Sequence, residues 1–250
     1  MSEKRTHSDY LQKAEMYELL AQFYKYSFPS LHMQYYLKHI KYMNKAMNFM
    51  RTNPQLLQLE AKVRVIHTSS DSPNIDVYID GKRVIRDLPF KYVSTFLSLT
   101  AGKHHIDIYP TGNMVDSVLN KKITVESGKS YTLAVIDTVK KMRLIVFQNQ
   151  PTVPRNESKV RFIHLSPDTR PIDIAVKDRD VIFPMVSYKQ TTEYLGLTPM
   201  TVDLEVRETG SKTVLLPMPR VHFMPNESYT IVFVGLSNQQ PEFQFITIKE

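Results

Sequence analysis

Residues 62–85 read KVRVIHTSSDSPNIDVYIDGKRVI, and residues 159–182 read KVRFIHLSPDTRPIDIAVKDRDVI. The two align without a gap at an offset of 97, from Lys62 to Lys159. Val63/Val160, Arg64/Arg161, Ile66/Ile163, His67/His164, Ser69/Ser166, Asp71/Asp168, Ile75/Ile172 and Asp76/Asp173 are identical pairs. Weaker echoes follow downstream: HIDIY at 105–109 against TVDLE at 201–205, and SGKSYTLAVI at 127–136 against MPNESYTIVFV at 224–234. Self-similarity at a fixed offset marks a tandem duplication, here of a unit of about 90 residues.

Within a unit the period is two. In Asn74-Ile75-Asp76-Val77-Tyr78-Ile79 the apolar side chains alternate with Asp76 and Tyr78, the pattern of a strand with one covered face. Asp80-Gly81 is a two-residue hairpin signal leading into Lys82-Arg83-Val84-Ile85. Further β-rich runs are punctuated by Ala101-Gly102, Pro110-Thr111-Gly112 and Ser127-Gly128. Short strands at spacings of about 8–12 residues with no helical period between them read as a sandwich. In the second unit the strand runs fall near 159–164, 172–176, 191–197, 201–207, 212–218, 228–235 and 242–248, and the Asp-Gly hairpin is lost. The expected fold is mainly β: two tandem antiparallel β-sandwiches of immunoglobulin-like or transthyretin-like type, preceded by an α-helical hairpin. The expected divisions are 1–58, 62–150 and 157–250, with the Pro-stiffened stretch Gln150–Asn156 as linker.

The first segment changes period. Tyr10, Ala14, Tyr17, Ala21, Tyr24 and Phe28 step by four and three, and the pattern resumes at Met33, Tyr36, Ile40, Met43, Met47 and Met50. Pro29 separates the two series, Ser8 and Ser30 are candidate N-caps, and Asn53-Pro54 ends the second. Half of the chain's 14 tyrosines lie here, so the stripes are expected to be buried, on a sandwich or in a homo-oligomer.

Composition narrows the chemistry. The chain has 250 residues, 42% hydrophobic and 23% charged, which is globular usage. Absence of cysteine rules out disulfides, thiolate metal sites and a cysteine nucleophile. No apolar run reaches the roughly 18–20 residues of a membrane span, and Met1–Leu20 holds no uninterrupted apolar stretch of the signal-peptide kind. The expected location is therefore cytoplasmic, with a spore or cell-surface layer as the other setting. The net charge of +7 sits in the first two segments. Lys121-Lys122, Lys129 and Lys140-Lys141-x-Arg143 could form a basic patch, but without the interleaved aromatics of a nucleic-acid platform.

One constellation contains catalytic residue types: His67, Asp71 and Asp76, with Ser69, repeated as His164, Asp168 and Asp173, with Ser166. As a site it would use His as base and the carboxylates as orienters or ligand contacts. As structure, His67 caps the core on the face of Val63 and Val65, Asp71 accepts backbone N–H groups in a turn, and Asp76 faces outward. The duplication favours structure, because an active site is rarely copied with identical spacing inside one chain. His104 and His105 are adjacent on a strand and point to opposite faces, so they cannot share a metal. No phosphate-loop, dinucleotide, nucleophile-elbow or zinc-protease motif occurs, and no cofactor or metal is expected.

The first unit resembles a bacterial family known as domain of unknown function 4397. The resemblance rests on Val63-Arg64-Val65-Ile66-His67-Thr68-Ser69-Ser70-Asp71-Ser72-Pro73, continuing through Asp76-Val77-Tyr78-Ile79-Asp80-Gly81, and on Pro89-Phe90-Lys91-Tyr92-Val93-Ser94 closing at Ala101-Gly102. The second unit looks like a diverged copy. The resemblance implies a β-sandwich module, usually of exported or cell-surface bacterial proteins, with no established catalytic residues. The expected function is a non-catalytic structural or protein-interaction module in a bacterial assembly or layer, its partners being proteins or further copies joined through the helices. The alternative is a binder of a carbohydrate or anionic polymer, using His67, Asp71, Asp76, His164, Asp168 and Asp173 as ligand contacts.

Overall fold

A computed structural model describes residues 7–52, 60–113 and 115–250 and divides the chain into two compact units, Met1–Glu60 and Ala61–Glu250. The first holds α1 (His7–Tyr24) and α2 (Pro29–Thr52). Pro29 opens α2, where its missing N–H costs nothing, and the N–H of His32 bonds the Phe28 carbonyl; Phe28, not Ser30, is the capping position. Ser8 likewise falls inside α1 rather than ahead of it. α2 ends at Thr52, and Asn53-Pro54 lie outside the described residues.

The helices meet along an alanine seam. Ala14, Ala21 and Ala46 are the buried hydrophobic residues of the hairpin among those described. Facing them, His39 Nδ1 donates to the Ala14 carbonyl at 3.0 Å and His32 Nδ1 to the Ala21 carbonyl at 2.8 Å, two contacts one heptad apart. Tyr17 stacks on Tyr35 and Tyr42, and Tyr10 meets Phe49. The α1 series is thus the one in the sequence, but the α2 seam is His32, Tyr35, His39, Tyr42, Ala46 and Phe49. The expected stripe of Met33, Tyr36, Ile40 and Met47 lies one residue aside and is exposed. Tyrosine rings stack on one another and histidine nitrogens bond alanine carbonyls across the seam, roles that a count of apolar residues passes over.

The second unit contains two sets of eight strands with one topology. The first set is β1 (Glu60–His67), β2 (Ile75–Ile79), β3 (Lys82–Leu88), β4 (Leu97–Thr100), β5 (Gly102–Pro110), β6 (Leu119–Val125), β7 (Ser130–Ile136) and β8 (Arg143–Asn149). The second is β9 (Ser158–His164), β10 (Ile172–Val176), β11 (Val181–Val186), β12 (Leu195–Leu197), β13 (Met200–Glu208), β14 (Val214–Phe223), β15 (Glu227–Val234) and β16 (Gln244–Lys249). Sheet orders β4-β1-β7-β8 and β3-β2-β5-β6 recur as β12-β9-β15-β16 and β11-β10-β13-β14. Asp80 and Gly81, at φ 50° and 78°, make the expected tight turn. The second copy keeps its hairpin despite losing Asp-Gly, through a four-residue loop, so β11 is a strand the run pattern passes over.

Two further departures matter. β1 pairs parallel with β7, and β9 with β15, so neither sandwich is wholly antiparallel. Between β1 and β7 the chain visits the opposite sheet twice, as β2–β3 and as β5–β6, returning in between at β4, and such crossovers, unlike a hairpin, can restore strand direction. The echo HIDIY/TVDLE is also two residues out of register. Asp76 faces Tyr109 and Asp173 faces Arg207, so Ile106 corresponds to Leu204 and His104 to Val202.

Three cores separate four stacked sheets. Val63, Val65, Ile75, Val77 and Ile106 belong to the first, and Phe162, Ile172, Ile174 and Phe233 to the second. The third lies between the sandwiches, where Ile66, Ile136 and Phe147 meet Ile163, Val232 and Ile248. β1, β7, β9 and β15 are therefore covered on both faces. At about 1.5–3 kcal/mol for each fully buried large aliphatic or aromatic side chain, this third core is a main term in joining the two copies.

Candidate functional site

The duplicated constellation separates into two devices. The first is at the strand end. His67 is fully buried; Nε2 donates to the Pro73 carbonyl at 3.1 Å, and Nδ1 faces the Ser69 N–H at 3.4 Å. His164 repeats this with the Arg170 carbonyl at 3.4 Å and the Ser166 N–H at 3.3 Å. These partners assign the proton to Nε2 in both rings. Burial pushes both imidazoles below the ordinary histidine range, against the opposing pull of the carbonyls, so they are held neutral with both nitrogens engaged. Asp71 accepts the Val139 N–H at 2.9 Å, and Asp168 accepts the Ser237 N–H at 2.9 Å. Each carboxylate ties the turn after the first strand of its copy to the loop after the seventh.

The second device is Asp76 and Asp173, on the face away from Ile75 and Ile172. They do not face solvent as expected; both are buried under the following strand. Asp76 accepts the Asp87 N–H at 2.8 Å and hydrogen bonds from Thr111 and Arg83, each at 3.2 Å. Asp173 accepts the N–H groups of Met185 at 2.8 Å and Gly210 at 3.0 Å. Asp87 and Met185 have φ of 55° and 52°, and the β2–β3 and β10–β11 ladders shift register there. The carboxylates staple β-bulges. Burial alone would raise their pKa, but the N–H donors outweigh it and hold both below the usual carboxylate range.

His104 and His105 do diverge. Buried His104 bridges the Asp80 carboxylate at 2.6 Å and the Thr100 carbonyl at 2.7 Å, while His105 lies 3.4 Å from Asp107. Burial would lower the His104 pKa, but its carbonyl and carboxylate partners raise it above the ordinary value. Among the described residues no group of three or more His, Asp or Glu is placed to hold a metal ion.

Two clusters escape the constellation. Between the sandwiches, Arg64 Nε donates to Thr132 and Nη1 to the Lys249 carbonyl of the other copy at 2.6 Å. Arg161 mirrors it, Nε to Thr230 and Nη1 to the Gln148 carbonyl at 2.7 Å. Phe96 lies over the first guanidinium and Tyr194 over the second. Glu250 is held by Arg161 at 2.9 Å and by a short hydrogen bond from Thr230, whereas Arg64 stands 3.9 Å away. The matching Val-Arg of the two copies was the visible signal. At the second cluster Asp137, φ 65°, accepts hydrogen bonds from Arg143 and from Tyr188 and lies 3.3 Å from Lys189. Burial opposes its ionisation, yet these partners keep it below the usual range. Tyr188 and Lys189 belong to the other copy, so nothing in the local sequence of Asp137 announces them.

No helix among the described residues is long and apolar enough to cross a membrane. No curated protein matches the chain. Among solved structures, the chain is similar to the C-terminal domain of AlgF from P. aeruginosa, at 16% identity and TM-score 0.30, over 38% of this chain and 100% of that one. It is also similar to a candidate cell adhesion protein from Parabacteroides distasonis ATCC 8503, at 8% identity and TM-score 0.22, over 77% and 99%. A fimbrial assembly protein from the same organism matches at 10% identity and TM-score 0.23, over 76% and 95%. Likenesses this distant carry no weight for function. The sequence model of "Domain of unknown function (DUF4397)" matches residues 61–175 and again 158–249, in step with the duplication, and the chain belongs to that family.

Proposed function

We propose that the chain is a non-catalytic structural module of a bacterial assembly or of a surface or spore layer, and that its helical hairpin joins it to further copies of itself. The observation that carries this reading is the second face of the hairpin. The seam consumes alanines, while Met16, Leu19 and Phe23 run along α1 at helical spacing in solvent, Leu19 72% and Phe23 75% exposed, with Tyr26 exposed just past the helix end. Met33, Leu37, Ile40 and Met47 form a comparable exposed stripe on α2. Contiguous apolar surface of this kind marks an interaction face, and an isolated two-helix hairpin gains stability by covering it. The constellation supports the non-catalytic part: His67 and His164 have no free nitrogen to act as a base.

Light scattering of the full chain tests the proposal. Wild type is expected to show a mass that is a multiple of the chain's, and Leu19→Glu/Phe23→Glu the mass of one chain, with helical circular dichroism retained. A wild-type monomer at tens of micromolar, or a variant that assembles as before, would contradict it.

A further inference from the structure

The two copies differ where their edge strands diverge. In the first, β6 and β8 flank a cleft of about 320 Å³ lined by Leu119, Lys121, Met142, Arg143, Leu144 and, from the second copy, Lys189. Lys121 Nζ donates to the Leu144 carbonyl at 2.8 Å, and Arg143 and Lys189 share Asp137. Three cations against one carboxylate leave a formal excess of +2. Strand register gives the counterparts in the second copy. Ile106 faces Lys121 and Leu204 faces Met218; Ile136 faces Arg143 and Val234 faces Gln244. Asp137 corresponds to Gly235, where the Glu242 backbone approaches so closely that a Cβ would lie 2.1 Å from its carbonyl oxygen. Met218 is fully buried, and the ammonium of Lys91, the counterpart of Lys189, is bound to Gln244 at 2.9 Å.

The second copy is thus an internal control: the same strand order forms there with a methionine, a glutamine and a glycine in place of two cations and a carboxylate. The framework does not need the charges. We propose that the first copy's cleft binds phosphate groups, with Lys121, Arg143 and Lys189 as donors and Asp137 as the internal competitor that the ligand displaces. Cations converging from two strands and a loop suit an oxyanion, for which charge-assisted hydrogen bonds are the strong interaction. The cleft exceeds the size of one phosphate group, which favours linked phosphates. This inference is independent of the hairpin and stands or falls apart from it.

The test is calorimetric titration of the full-length protein at low ionic strength with inorganic pyrophosphate and with inorganic polyphosphate. Binding that weakens as salt is raised is expected. Tighter binding of polyphosphate, per chain, would point to a polymer-borne ligand, and equal binding to a free one. Lys121→Met/Arg143→Gln, which installs the second copy's residues, should weaken affinity by about tenfold or more, and Lys189→Gln should act in the same direction. Asp137→Asn should tighten it, a change that a purely structural role would not produce. Lys212→Ala, in the second copy, should leave affinity unchanged. The lysines could instead only guard edge strands from pairing with other chains. Aggregation of Lys121→Met/Arg143→Gln with phosphate affinity intact would establish that and overturn the proposal, as would no wild-type binding to either probe.

Discussion

The two copies place an arginine identically and satisfy it differently. Arg161 closes a buried network with Thr230, the Gln148 carbonyl and both Asn149 and Glu250. Arg64 makes the two bonds required by the shared geometry, yet its buried Nη2 has no hydrogen-bond partner among the described residues. The position facing Ser130 is Asn149 in one copy, and Glu250 reaches Ser228 in the other, so two guanidiniums share one carboxylate. Duplication preserves what holds the sheets and relaxes what merely completes a charge balance.

That contrast can be broken experimentally. The largest effect is expected for Arg161→Ala. Removing it takes away the guanidinium that bonds the buried Glu250 carboxylate and leaves Arg64 3.9 Å off as its remaining cation, and breaking a buried pair costs about 3–5 kcal/mol. Arg64→Ala should cost about 1–3 kcal/mol, the range for a lost buried hydrogen-bonding group. Urea denaturation of both variants, compared at constant m-value, reads the difference; equal losses would remove the asymmetry. Asp76→Ala and Asp173→Ala come next, at about 1–3 kcal/mol each, because each leaves bulge N–H groups unsatisfied. Near-equal values are expected, since each carboxylate holds the bulge N–H of its copy, Asp87 or Met185, and differs only in its remaining donors.

Acidity probes the same contrast with sign. His67 and His164 have depressed folded-state pKa values, so their contribution is complete above the ordinary value of about 6.5 and declines as pH falls below it. Asp76 and Asp173, also depressed, add a second loss as pH drops through and below about 4. His104 has the opposite sign: its pKa is raised, so its contribution is present below about 6.5 and lost as pH rises through the folded value. Val202 stands at that place in the second copy, so His104→Val should flatten the neutral-to-alkaline limb of thermal melts, with a smaller change in the acid limb because Asp80 loses one of the partners that hold its pKa down. The smallest effect is expected for Asn149→Asp, which offers the arginine pair a second carboxylate and should stabilise by about 1 kcal/mol.

Much of this architecture is legible in the sequence, for reasons that are local. Asp80-Gly81 specifies its turn because both residues take positive φ, and Ile75, Val77 and Ile79 mark a covered face by period two. Pro29 opens its helix by the chemistry that makes it a poor interior residue. What was not legible depends on partners distant in the chain. Asp76 reads as outward by alternation, and only the returning bulge at Asp87 buries it. His32 and His39 do not count as seam residues until the alanine carbonyls across from them are placed. The contact between sandwiches had a signal, since Leu133-Ala134-Val135-Ile136 and Ile231-Val232-Phe233-Val234 are unbroken apolar runs of strands covered on both faces.

The two copies stand as one body through those doubly covered strands. Hydrogen exchange in the full chain carrying Ile163→Ala reads whether they do. The substitution truncates a side chain of the second copy in the shared core, at a cost of about 2–5 kcal/mol. Amide protection is expected to fall in β1 and β7 of the first copy together with β9 and β15 of the second. Loss of protection confined to residues 158–249, with the first copy exchanging as in wild type, would contradict it.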